Sequence, residues 1–355
     1  MTKLLNSSLK SQVAYTPGIQ PRGRGYVKLN TNELPYRPSL RVSEVISAYK
    51  WKRLRLYPQP SPEKLKKALA DFHGIAPGNI SLGNGSDEIL AFAFMAFFER
   101  GETIAFPDVT YGLYETLSGL YGLAPRISKL KDDFTLDVAG FAGIKAGKVI
   151  ANPNAPTGIS VSVDEIEEIL KTIPDKIVIV DEAYADFCDC SCDWLVGKYP
   201  NLLIVRTFSK SRALAGARVG YAVGSPEVIK ALELVRNSFN PYNLNALSID
   251  IAEASVLDRR YFGRCVRRIQ KTRAWLCIRM SELGFDLLPS GTNFVFAKHS
   301  HISGKEIYER LAEKKILVRR WDGKRISEYL RISIGTKLQM TKLLKELRKI
   351  CHEEK

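Results

Sequence analysis

The stretch that decides the fold is Ile177-Val-Ile-Val-Asp181-Glu182-Ala-Tyr184. Four consecutive β-branched residues followed by two carboxylates are typical of a strand that is buried on both faces and ends at a polar edge. Such a strand presents Asp181 at its carboxyl end. A carboxylate in that position can bind a metal ion, cap a helix, or keep the nitrogen of an aromatic ring protonated through its opposite charge.

Similar strand-like segments recur on both sides of this stretch and alternate with segments of helical apolar spacing. The strand-like segments are Thr103–Phe106, Lys148–Ala151, Ile177–Val180, Leu202–Arg206 and Val219–Val223. Between them apolar residues stand three and four apart, as at Ile166, Ile169 and Leu170. The alternation predicts the α/β class, with a mostly parallel sheet covered by helices. Because such sheets bind ligands beyond the carboxyl ends of their strands, the residues that follow each strand are the candidates for chemistry.

The pattern changes after about Leu257. A long basic amphipathic stretch leads into three further strand-like segments, separated by helical ones. These segments are Asn293–Ala297, Ile316–Arg319 and Tyr329–Ile334. We therefore predict a large domain (residues 37–257), a smaller α+β domain (258–355), and an N-terminal arm (1–36) that joins the smaller domain.

The composition indicates a soluble cytoplasmic protein. The chain has 355 residues, of which 45% are hydrophobic, so it can bury a core larger than one domain usually carries. The longest apolar run, around Ile89–Phe98, is far shorter than the roughly 20 residues of a membrane span. Residues 1–30 hold no apolar stretch of the secretory kind.

The six cysteines do not predict a disulfide framework in a chain of this length. The segment Cys188-Asp-Cys190-Ser-Cys192 could suggest a metal site, but no second pair of cysteines or histidines stands at ligand spacing. A structural zinc ion needs four ligands. We therefore expect reduced thiols and no metal.

The formal net charge of +15 favours an anionic partner. Nucleic acid, an acidic membrane surface and small anionic ligands all fit that charge. The basic segments also carry apolar residues at helical spacing, as at Leu343, Leu344 and Leu347, which is typical of a solvated helix face. No nucleic-acid-binding motif accompanies them, so we expect small anionic molecules as ligands and neither nucleic acid nor a membrane.

A glycine-containing turn, Ser81-Leu-Gly83-Asn-Gly85-Ser86-Asp87-Glu88, precedes an apolar helix. Ser86 is a good N-cap for that helix, and a helix N-terminus with free amides is a natural seat for phosphate. A capped turn with no ligand is the commoner case, so this segment by itself is a weak signal.

The segment Arg206-Thr-Phe-Ser209-Lys210 again follows a predicted strand, and Arg218 stands eight residues later. A lysine that attacks an aldehyde needs a partly neutral amine, which burial near a cation favours. Ser209 and Arg218 can bind a dianionic phosphate, the arginine through its planar fork. A Ser-Lys pair is usually solvated, but its combination with Asp181 and Arg218 favours a cofactor site.

Taken in order, these motifs resemble those of the fold-type-I aminotransferases that depend on pyridoxal 5′-phosphate (PLP), and most of all the histidinol-phosphate aminotransferase family. The resemblance runs from Ala14-Tyr15 to Arg331 and covers nearly the whole chain. The motifs are Gly83-Asn-Gly-Ser-Asp-Glu88, Thr110-Tyr111, Asn152-Pro-Asn-Ala-Pro-Thr-Gly158, Asp181-Glu-Ala-Tyr184, Ser209-Lys210, Arg218 and Arg331-Ile-Ser-Ile-Gly335.

The resemblance implies a homodimeric PLP enzyme of histidine biosynthesis, which moves an amino group between L-histidinol phosphate and 2-oxoglutarate. In such an enzyme Lys210 binds the cofactor aldehyde as a Schiff base and moves a proton, Asp181 pairs with the ring nitrogen, and Tyr184 bonds the 3′-oxygen. The other implied cofactor contacts are Tyr111, Ser86, Asp87, Ser209, Arg218, Asn154 and, across a dimer interface, Tyr57. The implied substrate contacts are Tyr15, Asn32, Arg319 and Arg331.

One position departs from the family pattern, and other functions stay open. The family carries an asparagine immediately before Pro-Thr-Gly, which donates to the 3′-oxygen, and this chain has Ala155. The alternatives are a threonine-phosphate decarboxylase, a broader-specificity aromatic or aspartate-type aminotransferase, and a regulator that binds nucleic acid. Carbon dioxide release, the preferred amino donor and a salt-sensitive DNA complex distinguish them.

Overall fold

The structure of the protein is a computed structural model that describes residues 4–6, 9–10 and 12–352. The helices are α1 (Leu40–Ala48), α2 (Glu63–His73), α3 (Ser86–Phe97), α4 (Leu113–Tyr121), α5 (Val138–Ala142), α6 (Val163–Thr172), α7 (Pro226–Phe239), α8 (Ala246–Leu257), α9 (Arg259–Ser281), α10 (Gly304–Glu313) and α11 (Lys337–His352). The strands are β1 (Val27–Lys28), β2 (Ile80–Gly83), β3 (Thr103–Pro107), β4 (Ala124–Ser128), β5 (Gly147–Ala151), β6 (Val178–Asp181), β7 (Leu202–Thr207), β8 (Gly220–Gly224), β9 (Phe285–Leu287), β10 (Phe294–His299), β11 (Ile316–Leu317) and β12 (Leu330–Ser333).

Seven strands form the main sheet in the order β2-β8-β7-β6-β5-β3-β4. Only β8 pairs antiparallel with its neighbours, and the remaining pairs are parallel. The fold prediction is therefore confirmed: this is an α/β protein with a mostly parallel sheet. Each strand-like segment predicted before Leu257 forms a strand of this sheet, within one residue at each end.

The sequence does not reveal β4 as a strand, because β4 lies at the edge of the sheet and is almost entirely exposed. It carries Pro125 and Arg126 in place of an apolar run. Proline lacks the amide donor that a central strand needs, so it is confined to edge strands, where a proline and a charge also discourage pairing with another molecule.

The central strands β6 and β7 are buried along their whole length. They pair in parallel, with Asp181 opposite Val205. Both strands therefore end at the same edge, and the segments that follow them begin beside each other. This register brings Asp181 and the segment Thr207–Lys210 to one side of the sheet.

A second group of strands stands apart from the main sheet. An antiparallel sheet of order β12-β10-β9 is formed by residues after Leu257, and β1 pairs in parallel with β11. Leu29 packs in the same apolar cluster as Ile316 and Ile332. The N-terminal segment is thus held against the C-terminal part of the chain.

Two local predictions are wrong. Gly85, with φ of 80°, is the N-cap of α3, and Ser86 is the first residue of that helix. The structure joins Cys188 and Cys190 in a disulfide, with 5.5 Å between their Cα atoms, so the expectation of reduced thiols is wrong for this pair. Cys192 and Cys265 are free thiols, in line with that expectation, and both are buried. Within the part of the chain that the structure describes, no helix is both long enough and apolar enough to cross a membrane.

Candidate active site

A cavity of about 230 Å³ lies at the carboxyl edge of the main sheet. The N-terminal segment, the turn before α3 and the segments after β6 and β7 enclose it, together with β12. The predicted site residues that line it are Tyr15, Asn32, Ser86, Asp87, Tyr111, Asp181, Tyr184, Ser209, Lys210, Arg218, Arg319 and Arg331. Residues that are far apart in sequence therefore share one cavity.

Asp181 is 5% exposed and is held by two hydrogen bonds. Its Oδ2 accepts from the hydroxyl of Tyr114 at 2.9 Å, and its Oδ1 accepts from the amide of Ala183 at 3.1 Å. Burial raises the pKa of Asp181 to about 6, while both hydrogen bonds favour the carboxylate and oppose that rise. The carboxylate is thus fixed in orientation at the end of a buried strand.

Lys210 extends into the same cavity from the segment after β7. Its Nζ donates to the carbonyl oxygen of Thr31 at 3.2 Å and lies 5.8 Å from the centre of the Tyr184 ring. A lysine amine held by one neutral carbonyl is available to bind an aldehyde carbon.

Asn32 is a buried residue with a left-handed backbone, at φ of 57°. Its backbone amide donates to the hydroxyl of Ser333, which in turn donates to the Asn32 side-chain oxygen, each at 2.9 Å. The Asn32 Nδ2 donates to the hydroxyl of Tyr184 at 2.9 Å. Asn32 thus lines the cavity and also orients Tyr184, and its contact with substrate stays a prediction.

Arg218, which precedes β8, lies close to Ser209 and to the N-terminus of α3. We call these three groups the cradle. Arg218 Nη1 lies 3.4 Å from the hydroxyl of Ser209, and Nη2 lies 3.2 Å from Asp87 Oδ2. A Cβ atom on Gly85 would lie 2.4 Å from Arg218, and one on Gly220 would lie 2.4 Å from the Gly85 carbonyl carbon. At position 220 only glycine lets the two backbone segments approach this closely, and at position 85 the positive φ of 80° favours glycine.

The donors of this cradle fit a phosphate group. They combine a guanidinium, a serine hydroxyl and the N-terminus of the twelve-residue helix α3, whose first amides have no partner within the helix. The site therefore brings together groups that could hold PLP: the donors of the cradle for its phosphate, the Asp181 carboxylate and the Lys210 amine.

Arg319 and Arg331 lie side by side because their backbones form an isolated antiparallel bridge. Arg331 Nη2 donates to the carbonyl of Asn30 at 3.0 Å, and the side chain of Arg331 lies between the rings of Phe294 and Trp321. Among the described residues, Arg331 Nε is buried without a hydrogen-bond partner. An anion that enters the cavity would meet two adjacent guanidinium groups.

Arg319 also holds the N-terminal segment. Its Nη1 and Nη2 donate to the carbonyls of Pro17 and Thr16 at 3.2 and 2.9 Å. This segment places the Tyr15 ring edge-on against the Tyr111 ring, with 5.4 Å between their centres. The two tyrosines form one wall of the cavity.

Two predicted cofactor contacts do not line the cavity. The side-chain amide of Asn154 already bonds Thr157 in its own loop and Val109 and Thr110 in the segment after β3, at 2.8 to 2.9 Å. Ala155, which lacks a polar side chain, lines the cavity in its place. Tyr57 is 81% exposed and stacks on Tyr242, outside the cavity of its own chain.

No sequence motif points to Tyr114, although the structure bonds its hydroxyl to Asp181. Its spacing of three from Tyr111 at the start of α4 was the available signal. Thr31, which accepts from Lys210 through its backbone carbonyl, had no such signal.

Comparison with known proteins places the chain among aminotransferases. The family model described as aminotransferase class I and II matches residues 24–347. A histidinol-phosphate aminotransferase of Brachyspira hyodysenteriae is 44% identical over 351 residues, which cover 99% of both chains. A histidinol-phosphate aminotransferase of Acetobacter pasteurianus is 45% identical over 350 residues, covering 99% of this chain and 98% of the relative.

A solved structure shares the fold along the whole chain. The histidinol-phosphate aminotransferase of Sinorhizobium meliloti, solved in complex with pyridoxal 5′-phosphate, superposes with a TM-score of 0.90. The superposition covers 100% of this chain and 99% of that one, at 23% sequence identity. At that identity the likeness establishes the fold.

Proposed function

The chain belongs to the aminotransferase class I and II family, and we propose that it transfers the amino group of L-histidinol phosphate to 2-oxoglutarate with PLP as cofactor. The observation that carries this proposal is the cavity in which Lys210 and Asp181 lie together with the adjacent pair Arg319 and Arg331. The full-length relatives that bear the histidinol-phosphate aminotransferase name support the same reaction.

PLP, when bound, supplies an electron-poor ring that withdraws electrons from the substrate Cα. The cradle of Arg218, Ser209 and the N-terminus of α3 would hold its phosphate. Asp181 would keep the ring nitrogen protonated through its negative charge, and the hydroxyl of Tyr184 would donate to the 3′-oxygen. Tyr111, beside Tyr15, would stack on the ring.

Lys210 has two tasks in this proposal. Its Nζ would hold the cofactor aldehyde, and the same amine, when free, would act as the base that takes the proton from the substrate Cα. Such proton transfers by a positioned side chain typically contribute about 10² to 10⁴ in rate. The carbonyl of Thr31 would orient Nζ while it is free.

The paired arginines select doubly anionic substrates. Arg331 and Arg319 would bind the phosphate of histidinol phosphate, and Arg331 would bind a carboxylate when glutamate or 2-oxoglutarate occupies the cavity. The planar fork of arginine matches both groups in a bidentate manner. The net charge of +15 also attracts these anions.

The proposal is tested by mixing the purified protein with PLP, L-histidinol phosphate and 2-oxoglutarate, and measuring glutamate. Glutamate should form only when all components are present. Turnover of phenylalanine or aspartate without histidinol phosphate would indicate a broader-specificity aminotransferase. Carbon dioxide release from O-phosphothreonine would indicate the decarboxylase.

The protein is also proposed to act as a homodimer in the cytoplasm. Large apolar side chains are exposed around Tyr57, including Trp51 at 72%, Leu54 at 65% and Leu56 at 57%. An apolar group of this kind favours contact with another protein surface. A second copy of the chain would cover it and bring Tyr57 to the phosphate cradle of its partner.

The division of the chain into domains at residues 36 and 257 remains a prediction.

Mixed dimers test the role of Tyr57 across the interface. A Lys210→Ala chain and a Tyr57→Ala chain, purified together through different tags, should recover about half of the wild-type activity at low PLP concentration, since one of the two sites is then complete. Homodimers of each variant should be less active. If Tyr57 acts within its own chain, the mixed dimer will be no more active than the mixture of parent homodimers.

A further inference from the structure

We infer that Tyr114 is a positioning residue that fixes the orientation and the charge of Asp181. The inference rests on the proposed PLP-dependent function, and it assigns a role to a side chain that does not itself line the cavity. It follows from the contacts of one hydroxyl group at the end of β6.

Each oxygen of the Asp181 carboxylate accepts a hydrogen bond from a different donor. Oδ2 accepts from the Tyr114 hydroxyl at 2.9 Å, and Oδ1 accepts from the Ala183 amide at 3.1 Å. The two anchors come from different elements: Tyr114 belongs to α4, and Ala183 follows β6. Because both oxygens are held, the carboxylate plane cannot rotate freely, and its remaining lone pairs keep one direction.

Packing alone does not account for a tyrosine at this position. Tyr114 is fully buried, with its ring edge-on to Phe106 and Tyr111. A phenylalanine ring would make the same contacts. A buried hydroxyl is costly unless it has a partner, and here the partner is the carboxylate of Asp181. The hydroxyl is therefore explained by the hydrogen bond and not by the core.

The Tyr114 hydrogen bond opposes the burial and the neighbouring charge that favour the protonated, neutral form of Asp181. Burial and the Asp87 carboxylate, at the start of α3, raise the pKa of Asp181, whereas the Tyr114 hydroxyl and Lys210 lower it. Burial and the Asp181 charge raise the pKa of Tyr114 well above its usual value, so Tyr114 stays a donor throughout the working range. Tyr111 and Tyr184 also face Tyr114, and neither brings a positive charge to Asp181.

Tyr114→Phe is the variant that tests the inference, because it deletes the hydroxyl and keeps the ring. Loss of one hydrogen bond to a charged group changes a rate or equilibrium constant by a factor of about ten to a hundred. We expect kcat to fall and PLP binding to weaken within that range, with little change in the KM for histidinol phosphate. The pH at which the visible absorbance of the bound cofactor changes should rise by about one unit, since a ring that loses its nitrogen proton withdraws fewer electrons.

Tyr121→Phe is the matched control, since Tyr121 lies on the same helix and is only partly buried. It should retain wild-type kcat, PLP affinity and spectral titration, and both variants should keep the wild-type circular dichroism spectrum. A Tyr114→Phe protein with unchanged kcat and unchanged spectral titration overturns the inference. A wild-type protein that binds no PLP overturns the proposed function itself, so the two failures are distinguishable.

Discussion

Replacing Lys210 with alanine is expected to lower the rate of glutamate formation by at least about ten-thousandfold, the upper range of general acid–base catalysis. The variant loses the amine that binds the cofactor aldehyde and that moves the proton. It should also lose the visible absorbance of covalently bound PLP. The measurements are the absorbance spectrum of the purified protein and the rate with histidinol phosphate and 2-oxoglutarate.

The fold should survive this change, because the side chain of Lys210 extends into a cavity and makes one bond, to the Thr31 carbonyl. Circular dichroism and the denaturation midpoint should match the wild type. Lys230→Ala, at an exposed position on α7, is the control and should keep full activity. Retention of more than a trace of activity by Lys210→Ala would show that another residue carries the amine chemistry.

Replacing Arg206 with methionine is expected to lower the free energy of unfolding by about 3–5 kcal/mol, the usual effect of removing one partner of a buried ion pair. Arg206 Nη2 lies 2.5 Å from Glu182 Oε2, and Nη1 lies 3.0 Å from Asp186 Oδ1. The side chains of Arg206 and Glu182 are 6% and 0% exposed. Without the guanidinium, the buried carboxylate of Glu182 and the partly buried carboxylate of Asp186 lose their positively charged partner.

Urea unfolding of the cofactor-free protein measures this effect. The matched control is Arg279→Met, because Arg279 pairs with Glu282 on the surface of α9, with both side chains nearly half exposed. That change should cost less than about 1 kcal/mol. Equal unfolding free energies for the two variants would mean that the buried cluster around Arg206 contributes no more than a surface pair.

Arg206, Glu182 and Asp186 form a cluster that also connects Asp181 with Lys210, the two residues on which the proposed chemistry depends. Glu182 directly follows Asp181, and Asp186 accepts a hydrogen bond from Ser211, which directly follows Lys210. The carboxyl ends of β6 and β7 are therefore tied together by one guanidinium. Asp193 extends the cluster to His73, whose Nδ1 lies 2.6 Å from Asp193 Oδ2.

Much of the site could be predicted from the sequence because it lies directly after buried strands. The β-branched run before Asp181 and the run before Thr207–Lys210 identify strands from local pattern, and parallel strands end at a common edge. The glycine-containing turn before α3 likewise predicted a helix N-terminus that could seat a phosphate, although only as a weak signal. Asn154 shows the limit of this reasoning, because a motif position does not reveal whether the amide is already bonded to another segment, here Val109 and Thr110 after β3.

What the sequence by itself determined is the class of fold, the order of its strands along the chain and the residue types that carry the chemistry, since these follow from local periodicity and from the ends of strands. Tertiary structure alone decided which distant groups meet: Tyr114 at Asp181, Asn32 at Tyr184, and Arg319 beside Arg331. The physical reason is that hydrogen bonds between buried polar groups depend on packing between elements, and no local pattern encodes that packing.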